Sequence, residues 1–175
     1  DLGADSAYAL LRQAAQIAPG DAALGAAQQK LLARLLAPSR GALAAGDIDG
    51  AQSRLDALAS SLGNDPAWRK LRDEIAGARD AVQRSARIAE QQLRFDQQLA
   101  ARRYAEPVGD NALESLNALR QLDAGAAQTR AVQLAQALIA DARTALARGD
   151  AAAAMTMVEL ALRVQPDAAE AVAFK

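Results

Sequence analysis

The 175-residue chain contains neither histidine nor cysteine. It therefore has no Ser/His/Asp or Cys/His nucleophile system, no disulfide bond and no zinc site built from these side chains. Any catalysis would have to use carboxylate, Lys, Tyr or Arg groups. The lack of cysteine is compatible with an oxidising compartment and with a reducing one, so it leaves the compartment open.

Aromatic residues are also scarce, with two Phe, two Tyr and one Trp, whereas the chain holds 48 Ala and 24 Leu. Ala and Leu favour helices, while strands are rich in β-branched and aromatic residues. The composition predicts an all-α fold. Because Ala buries little area, we expect its helices to approach closely through many small contacts.

Neither sign of charge dominates, since 20 Lys and Arg stand against 21 Asp and Glu. This balance argues against nucleic-acid binding through bulk charge. A local basic surplus between Arg69 and Arg103 contains interspersed acidic residues, so we interpret it as a solvated helix face. No apolar run is long enough for a membrane span. No signal peptide is recognisable, and because the first residue is Asp1 we expect a piece of a longer protein.

Two segments of the chain recur. Asp5–Ala22 aligns with Asp110–Ala127 at an offset of 105, with 6 of 18 residues identical, and Arg40–Asp47 aligns with Arg143–Asp150 at an offset of 103, with 6 of 8 identical. A unit of roughly 105 residues therefore occurs twice, with a two-residue indel between the matches. Recurring helical units are typical of stacked repeats, so we predict a duplicated α-solenoid.

Turn signals divide the chain into about eight predicted helices. The pairs Gly46–Asp47 and Gly149–Asp150 each predict a helix end followed by a helix start, because glycine adopts the left-handed conformation and an aspartate can cap the next helix, with Asp47 and Asp49 both possible after Gly46. A phosphate site at these pairs is disfavoured because the acidic residue repels anions, and a single glycine beside one acidic residue is interpreted as a helix stop and cap instead of a metal site. The predicted helices cover residues 6–18, 22–45, 50–62, 65–105, 111–122, 126–148 and 151–164, with an incomplete one after Pro166.

One long helix is predicted between the two copies. Asp65–Pro66 is a strong start signal, no proline follows until Pro107, and Gly77 is the point where the helix could break. The predicted organisation is a first copy over residues 1–64, a connecting helix over 65–105 and a second copy over 106–175. The helix carries an apolar stripe with 3/4 spacing, formed by Leu71, Ile75, Ala78, Val82, Ala86, Ala89 and Leu93.

The helix pairs resemble tetratricopeptide repeats, in which two antiparallel helices cross at small residues and a proline follows the second. The matching residues are Ala154, Val158 and Ala161 before Pro166, Leu138 and Ala142 in the preceding helix, Ala7, Leu11 and Ala14 before Pro19, and Trp68 with Leu71. The repeat spacing is longer than the 34 residues of that family, and Leu58 and Gly63 replace its Ala and Pro. The resemblance implies antiparallel helix pairs of a tetratricopeptide-like (TPR-like) kind.

A second resemblance is to helical regions of bacterial envelope proteins, such as single-pass kinases and energy transducers. Those regions carry a Pro-x-Gly-Asp-Asn-Ala turn, which stands here at residues 107–112, and a Gly-Asp pair about 40 residues later, here Gly149–Asp150. The resemblance implies a signalling or scaffold role in the cell envelope, with the periplasm as the expected compartment and the cytoplasm as the alternative.

The resulting hypothesis is a non-catalytic protein-interaction, sensor or scaffold module, with no cofactor, no metal and a protein or peptide partner. Stacked pairs form a groove along their first helices, which receives such partners. Arg102 and Arg103 could also clamp an anionic group, although Arg103 is expected to pair with Asp110 while Tyr104 packs inward. The candidate binding residues are Gln28, Arg34, Arg40, Gln133, Gln136, Arg143, Arg102 and Arg103.

Two alternatives remain open. The apolar stripe of the long helix could pair with a second copy, which would make the chain a stalk or homodimerisation domain. A more remote alternative is a helical enzyme that cleaves glycans, which requires a buried carboxylate in a cleft. The candidate carboxylates, Asp73 with Glu74 and Asp49 with Asp56, fall on faces that are predicted to be exposed, so we assign no catalytic residue.

Overall fold

The structure of the protein is a computed structural model that describes residues 4–174, with side chains from residue 6 onward. Within these residues the fold is all-α and contains no strand. The outer ends of the two predicted copies, residues 1–3 and 175, lie outside the described residues. The chain divides into two compact units, with the boundary between Val82 and Gln83. The boundary lies inside a helix that is continuous from Pro66 to Ala100.

The first unit contains four helices and the beginning of a fifth. These are α1 (Ala4–Ile17), α2 (Ala22–Ala44), α3 (Ile48–Asp56), α4 (Ala59–Leu62) and the first half of α5 (Pro66–Ala100). Helix α1 packs on α2 and α4, and α2 packs on α3. The core between them is formed by Tyr8, Leu36, Ala51, Leu55, Leu62, Trp68, Leu71 and Ile75.

The second unit contains the remainder of α5 and four further helices. These are α6 (Ala112–Leu122), α7 (Ala124–Ala147), α8 (Ala151–Val164) and the short α9 (Ala169–Val172). Helix α7 is central, because α6, α8 and α9 all pack on it. Phe95 of α5 is the largest fully buried side chain of this core, and leucines and alanines of α6, α7 and α8 form most of the rest.

The predicted glycine–aspartate turns are confirmed. Gly46 and Gly149 adopt positive φ angles of 80° and 85°. Asp47 then caps α3 by accepting a hydrogen bond from the amide of Gly50, and Asp150 caps α8 by accepting one from Ala153. The Gly50 amide and Arg54 lower the pKa of the Asp47 carboxyl, because both stabilise its charged form. Each pair therefore ends one helix and begins the next.

The third predicted helix is broken in the structure, where α3 ends at Asp56 and α4 begins at Ala59. Local propensity does not explain the break, because Ala57 and Leu58 are helix formers. The carbonyl oxygen of Leu55 accepts a hydrogen bond from the amide of Leu58 at 3.1 Å and another from the Trp68 indole at 3.0 Å. A long-range contact with α5 therefore accompanies the tight turn.

The long helix begins as predicted and continues through Gly77, but its predicted end at Ala105 is wrong. Arg102 adopts a left-handed φ of 57° just after the helix. The Arg103 amide bonds to the carbonyl of Gln98 at 2.9 Å, and the Arg102 amide bonds to that of Leu99 at 3.0 Å. This pair of bonds is a Schellman motif, in which arginine occupies the position usually held by glycine.

The apolar stripe predicted on α5 is buried only near the start of the helix. Leu71 and Ile75 are fully buried in the first unit, whereas Val82 and Leu93 are 58% and 60% exposed. In the second unit the buried side of α5 carries Phe95 and Gln98 instead of Leu93. Every side chain from residue 80 to residue 87 is exposed. The later part of the stripe is thus uncovered.

Candidate interaction groove of the second unit

Helix α7 has one side in the core and another that faces solvent. Leu134, Leu138 and Ala142 are fully or almost fully buried against the neighbouring helices. The exposed side carries Val132 and Gln136, with the half-buried Gln133 beside them. Two depressions of the protein surface adjoin this side.

The first depression, the α7–α9 pocket, has a volume of about 260 Å³. Val132, Ala135 and Ile139 of α7 form its apolar wall, and Ala168 and Ala169 at the start of α9 lie opposite them. Gln136, Gln165 and Glu170 supply polar groups. The pocket therefore has aliphatic walls with amide and carboxylate groups among them.

The second depression, the α5–α7 pocket, is shallower and has a volume of about 550 Å³. Asp96, Leu99 and Ala100 of α5 line it together with Gln133, Gln136 and Ala137 of α7. Gln136 lines both pockets, so they adjoin along α7. We refer to the two pockets together as the α7 groove. Helices α5, α7 and α9 all contribute to its lining.

An ion pair lies at the α5 side of the groove. The Arg130 guanidinium is 3.1 Å from the Asp96 carboxylate, donates a hydrogen bond of 2.9 Å to the Gln133 side-chain oxygen and stacks 5.9 Å from the Phe95 ring centre. Its side chain is only 20% exposed. The charges of Arg130 and Asp96 are thus already paired with each other in the protein on its own.

A second ion pair lies on the α9 side. The Arg143 guanidinium is 3.0 Å from the Glu170 carboxylate, and both side chains are exposed. Arg143 is a predicted binding residue that lines neither pocket but contacts Glu170, which lines the α7–α9 pocket. The carboxylates that line the two pockets, Asp96 and Glu170, are each paired with an arginine of α7.

Arg102 and Tyr104 meet the same carboxylate on α7. The Tyr104 hydroxyl donates a hydrogen bond of 2.7 Å to Asp141, and the Arg102 guanidinium lies 3.3 Å from the other oxygen of that carboxylate. Burial, followed by the contact with Asp141, raises the pKa of Tyr104 to about 12. The inward packing predicted for Tyr104 is confirmed, and both groups attach the segment after α5 to α7.

Arg103 takes part in a structural network. It forms the expected ion pair with Asp110, which also accepts a hydrogen bond of 2.8 Å from Gln98. Gln98 in turn accepts one of 2.7 Å from the buried Ser115 hydroxyl. Asn111 caps α6 by accepting a hydrogen bond from the Glu114 amide, and the Glu114 carboxylate accepts one of 2.9 Å from the Gly109 amide. The network holds the loop between α5 and α6.

The predicted residues of the first unit are separate from this groove. Gln28 donates a 3.3 Å hydrogen bond to the Tyr8 hydroxyl, which itself donates to Asp65 at the start of α5. Burial and the Asp65 contact raise the pKa of Tyr8, while the Gln28 bond opposes this rise. Arg34 and Arg40 are exposed on α2. Of the eight candidates, Gln133 and Gln136 line the groove, and Arg143 contacts Glu170, which lines it.

Carboxylates weighed as acid–base pairs lie on exposed helix surfaces. Asp49 pairs with Arg79 at 2.7 Å and Asp73 with Arg72 at 2.9 Å, and both carboxylates are largely exposed. Among residues 4–174, no cluster of acidic side chains has the arrangement of a metal site. Nor does any described helix combine the length and apolarity that crossing a membrane requires.

Two of the predicted binding residues, Gln133 and Gln136, line the groove, whereas its sides on α5 and α9 were not predicted. Asp96 and Leu99 were assigned to a connecting helix and Glu170 to an incomplete last one, and Gln165 fell between two predicted helices. Periodicity places residues on a helix face, but it does not show which helix lies beside that face. The opposite charges of Arg130 and Asp96 were a signal, although 34 residues separate them in the sequence.

No family model, curated protein or solved structure matches this chain. Its functional assignment therefore depends on its own residues and on the groove that they form.

Proposed function

We propose that the chain is a non-catalytic protein-interaction module and that the α7 groove is its binding site. The single observation that carries this proposal is that three helices separated in the sequence line one groove, with Gln136 of α7 at its centre. A groove between helices that has an apolar lining and a few polar groups is suited to a peptide or a partner helix.

The order of the helices supports a TPR-like solenoid as the architecture of this module. In the second unit, α5, α7 and α9 line the groove, whereas α6 and α8 pack on α7 and line neither pocket. Alternate helices of the chain therefore contribute to one surface. This alternation is what stacked antiparallel pairs produce.

The helix bounds also support the proposed duplication. Helix α2 (Ala22–Ala44) and α7 (Ala124–Ala147) have nearly equal lengths, and each is followed by the same glycine–aspartate turn. At the offset of 103, α8 (Ala151–Val164) corresponds to residues 48–61, which form α3 and most of α4. The first unit would then be a version of the same unit with one helix broken.

Site-specific photocrosslinking tests the binding role. A photoreactive amino acid at Gln136 in the intact natural protein is expected to capture a protein partner in the cells that produce it. The control carries the same group at Ala152, which is exposed on α8 and lines neither pocket. Equal capture at both positions, or none at Gln136 in a folded protein, would contradict the proposal.

A second candidate function is self-association through α5. The exposure of Val82 and Leu93 favours it, because both belong to a stripe that stays uncovered. Light scattering across a concentration series is expected to show a dimer that is lost in Val82→Asp and retained in Arg84→Asp, a change outside the stripe. A monomer at all concentrations would remove this candidate.

We assign the module to a bacterial envelope protein with a sensor or scaffold role, with the periplasm as the compartment. The support is the turn at residues 107–112, which resembles that of such proteins. Fusion of the natural protein to a reporter that is active only outside the cytoplasm tests the assignment, and the reporter is expected to be active. An inactive reporter on a fusion protein that is produced and folded would contradict the assignment.

A further inference from the structure

The charges that line the α7 groove are already neutralised within the protein. Asp96 is paired with Arg130 at 3.1 Å, and Glu170 is paired with Arg143 at 3.0 Å. Arg130 is further engaged by Gln133 and by the Phe95 ring. A charged partner would have to displace one of these contacts, while an uncharged partner leaves them intact.

The α7–α9 pocket has the size and lining for aliphatic side chains. Its volume of about 260 Å³ lies below the roughly 300–1,000 Å³ that is usual for small-molecule sites. Val132, which is 36% exposed, provides branched aliphatic surface, Ile139 lies almost fully buried behind it, and Gln136 lines both pockets. One or two leucine-sized groups would fill this space and leave the amide for a polar contact.

The first unit carries different residues at the corresponding positions. At the offset of 103, Gln29 stands for Val132, Leu32 for Ala135 and Leu62 for Gln165. Ile139 corresponds to Leu36, so Val132 is the one residue of the apolar wall that has a polar counterpart in the first unit. The difference in polarity between the two units at this wall is therefore confined to Val132.

From these observations we infer that the α7 groove binds an uncharged amphipathic helical peptide, whose leucine-like side chains enter the α7–α9 pocket. This inference rests on the proposed interaction function and names the chemistry of its partner. Recognition comes from apolar burial and from amide hydrogen bonds of Gln133 and Gln136. The affinity is consequently expected to depend little on salt.

Synthetic peptides test the inference on the intact chain. The probe is a capped, fluorescently labelled Ala/Gln peptide of about 16 residues, long enough for helix formation on binding, with leucines at i, i+4 and i+7. Three companion peptides replace these leucines by alanine, lysine or glutamate. Anisotropy is expected to show binding of the leucine peptide only, with less than about a twofold change in Kd between 0.05 and 0.5 M NaCl, a range that screens exposed charges.

Two variants locate the binding site. Val132→Gln copies the first unit at a position that is partly exposed, and it is expected to weaken binding about tenfold or more, as for the loss of one buried aliphatic contact. Ala169→Leu, at an exposed position that lines the pocket, fills it and is expected to act in the same direction. Ala152→Leu adds the same side chain outside the groove and should leave Kd unchanged. Circular dichroism confirms that each variant is folded.

Three results would overturn the inference: tighter binding of a charged peptide, a strongly salt-dependent Kd, or no binding of the leucine peptide. Unchanged binding in folded Val132→Gln would do the same. The proposed function would survive these results if crosslinking at Gln136 still captured a partner, so the two failures are distinguishable. Capture of a partner whose contact segment is charged would identify the chemistry as the error.

Discussion

Both units anchor a tyrosine hydroxyl to an aspartate, but they do so from different places. In the first unit Tyr8 lies on α1 and donates to Asp65 at the start of α5. In the second unit Tyr104 precedes α6 and donates to Asp141 within α7. At the offset of 105, the residue of the second unit that corresponds to Tyr8 is Leu113. The same bond therefore connects different pairs of segments in the two units.

Apolar positions correspond more closely than polar ones. Ala51 and Ala154, and likewise Leu55 and Val158, are related by the offset of 103 and are all fully buried. Small or aliphatic side chains at such positions allow helices to approach at similar distances. These two pairs of positions are alike in burial, whereas the polar contacts of Tyr8 and Tyr104 differ between the two units.

The largest effects are expected from truncating one large aromatic side chain in each core. Trp68→Ala in the first unit and Phe95→Ala in the second are each expected to cost about 3–5 kcal/mol of unfolding free energy. Because each ring belongs to its own core cluster, amide hydrogen exchange should rise mainly in the unit that carries the change. Arg72→Ala, which removes the cation stacked on Trp68 and its exposed ion pair with Asp73 but leaves the ring in place, is the control. Equal acceleration in both units would contradict the separation of the cores.

The buried network of the second unit comes next. Gln98 and Ser115 are 2% and 4% exposed, so Gln98→Leu leaves a buried hydroxyl without its acceptor and is expected to cost about 1–3 kcal/mol. Adding Ser115→Ala should recover part of this loss. The matched first-unit change is Leu10→Ser, at the position that corresponds to Ser115, and it should cost less because Leu10 is exposed. Urea denaturation measures all four proteins, and an unaffected Gln98→Leu variant would contradict the network.

The two tyrosines provide a pH-dependent comparison. In Tyr8→Phe only Tyr104 remains to ionise, and its tyrosinate absorbance is expected to rise with a midpoint near a pKa of about 12. Because the folded-state pKa exceeds the unfolded value, this stabilisation is complete below about pH 10 and is lost as the pH rises from about 10 to about 12.

Two further variants assign this shift to its causes. Asp141→Asn should lower the Tyr104 midpoint, since it removes the nearby negative charge, and Asp96→Asn should leave it unchanged. Circular dichroism separates ionisation of the folded protein from unfolding. A midpoint at the ordinary tyrosine value while the helices remain intact would refute the burial of Tyr104.

The smallest effects concern the left-handed residues that follow helices. Gly149→Ala is expected to cost about 1–2 kcal/mol, because a side chain is unfavourable at this φ. Arg102→Gly relieves the same kind of strain and should gain less than about 1 kcal/mol, because it also loses the Asp141 contact and increases unfolded-chain entropy. Thermal unfolding compares the two, and destabilisation by Arg102→Gly greater than that by Gly149→Ala would reverse the expected order.

The sequence predicted those features that depend on neighbouring residues. The caps Asp47, Asp65 and Asp150 are local signals, and the helix starts at these positions agree with the structure. The break after Asp56 and the end of α5 at Ala100 were missed, because the Trp68 indole and the left-handed Arg102 are features of tertiary structure. Gln133 and Gln136 were predicted because they lie on the first helix of a predicted pair, and both line the groove. Their neighbours on α5 and α9 depend on packing that no single-helix pattern contains.

The fully exposed stretch of α5 has a consequence for how the chain opens. From residue 80 to residue 87 no side chain is covered, so this stretch is held by its own backbone hydrogen bonds and by weak neighbour interactions along the helix. A helical stretch without tertiary contacts is only marginally stable in water. Transient local unfolding of this stretch would expose Arg84 and Arg87 to a trypsin-like protease before either core unfolds. A single cut would then divide the polypeptide into two fragments, each retaining one intact core.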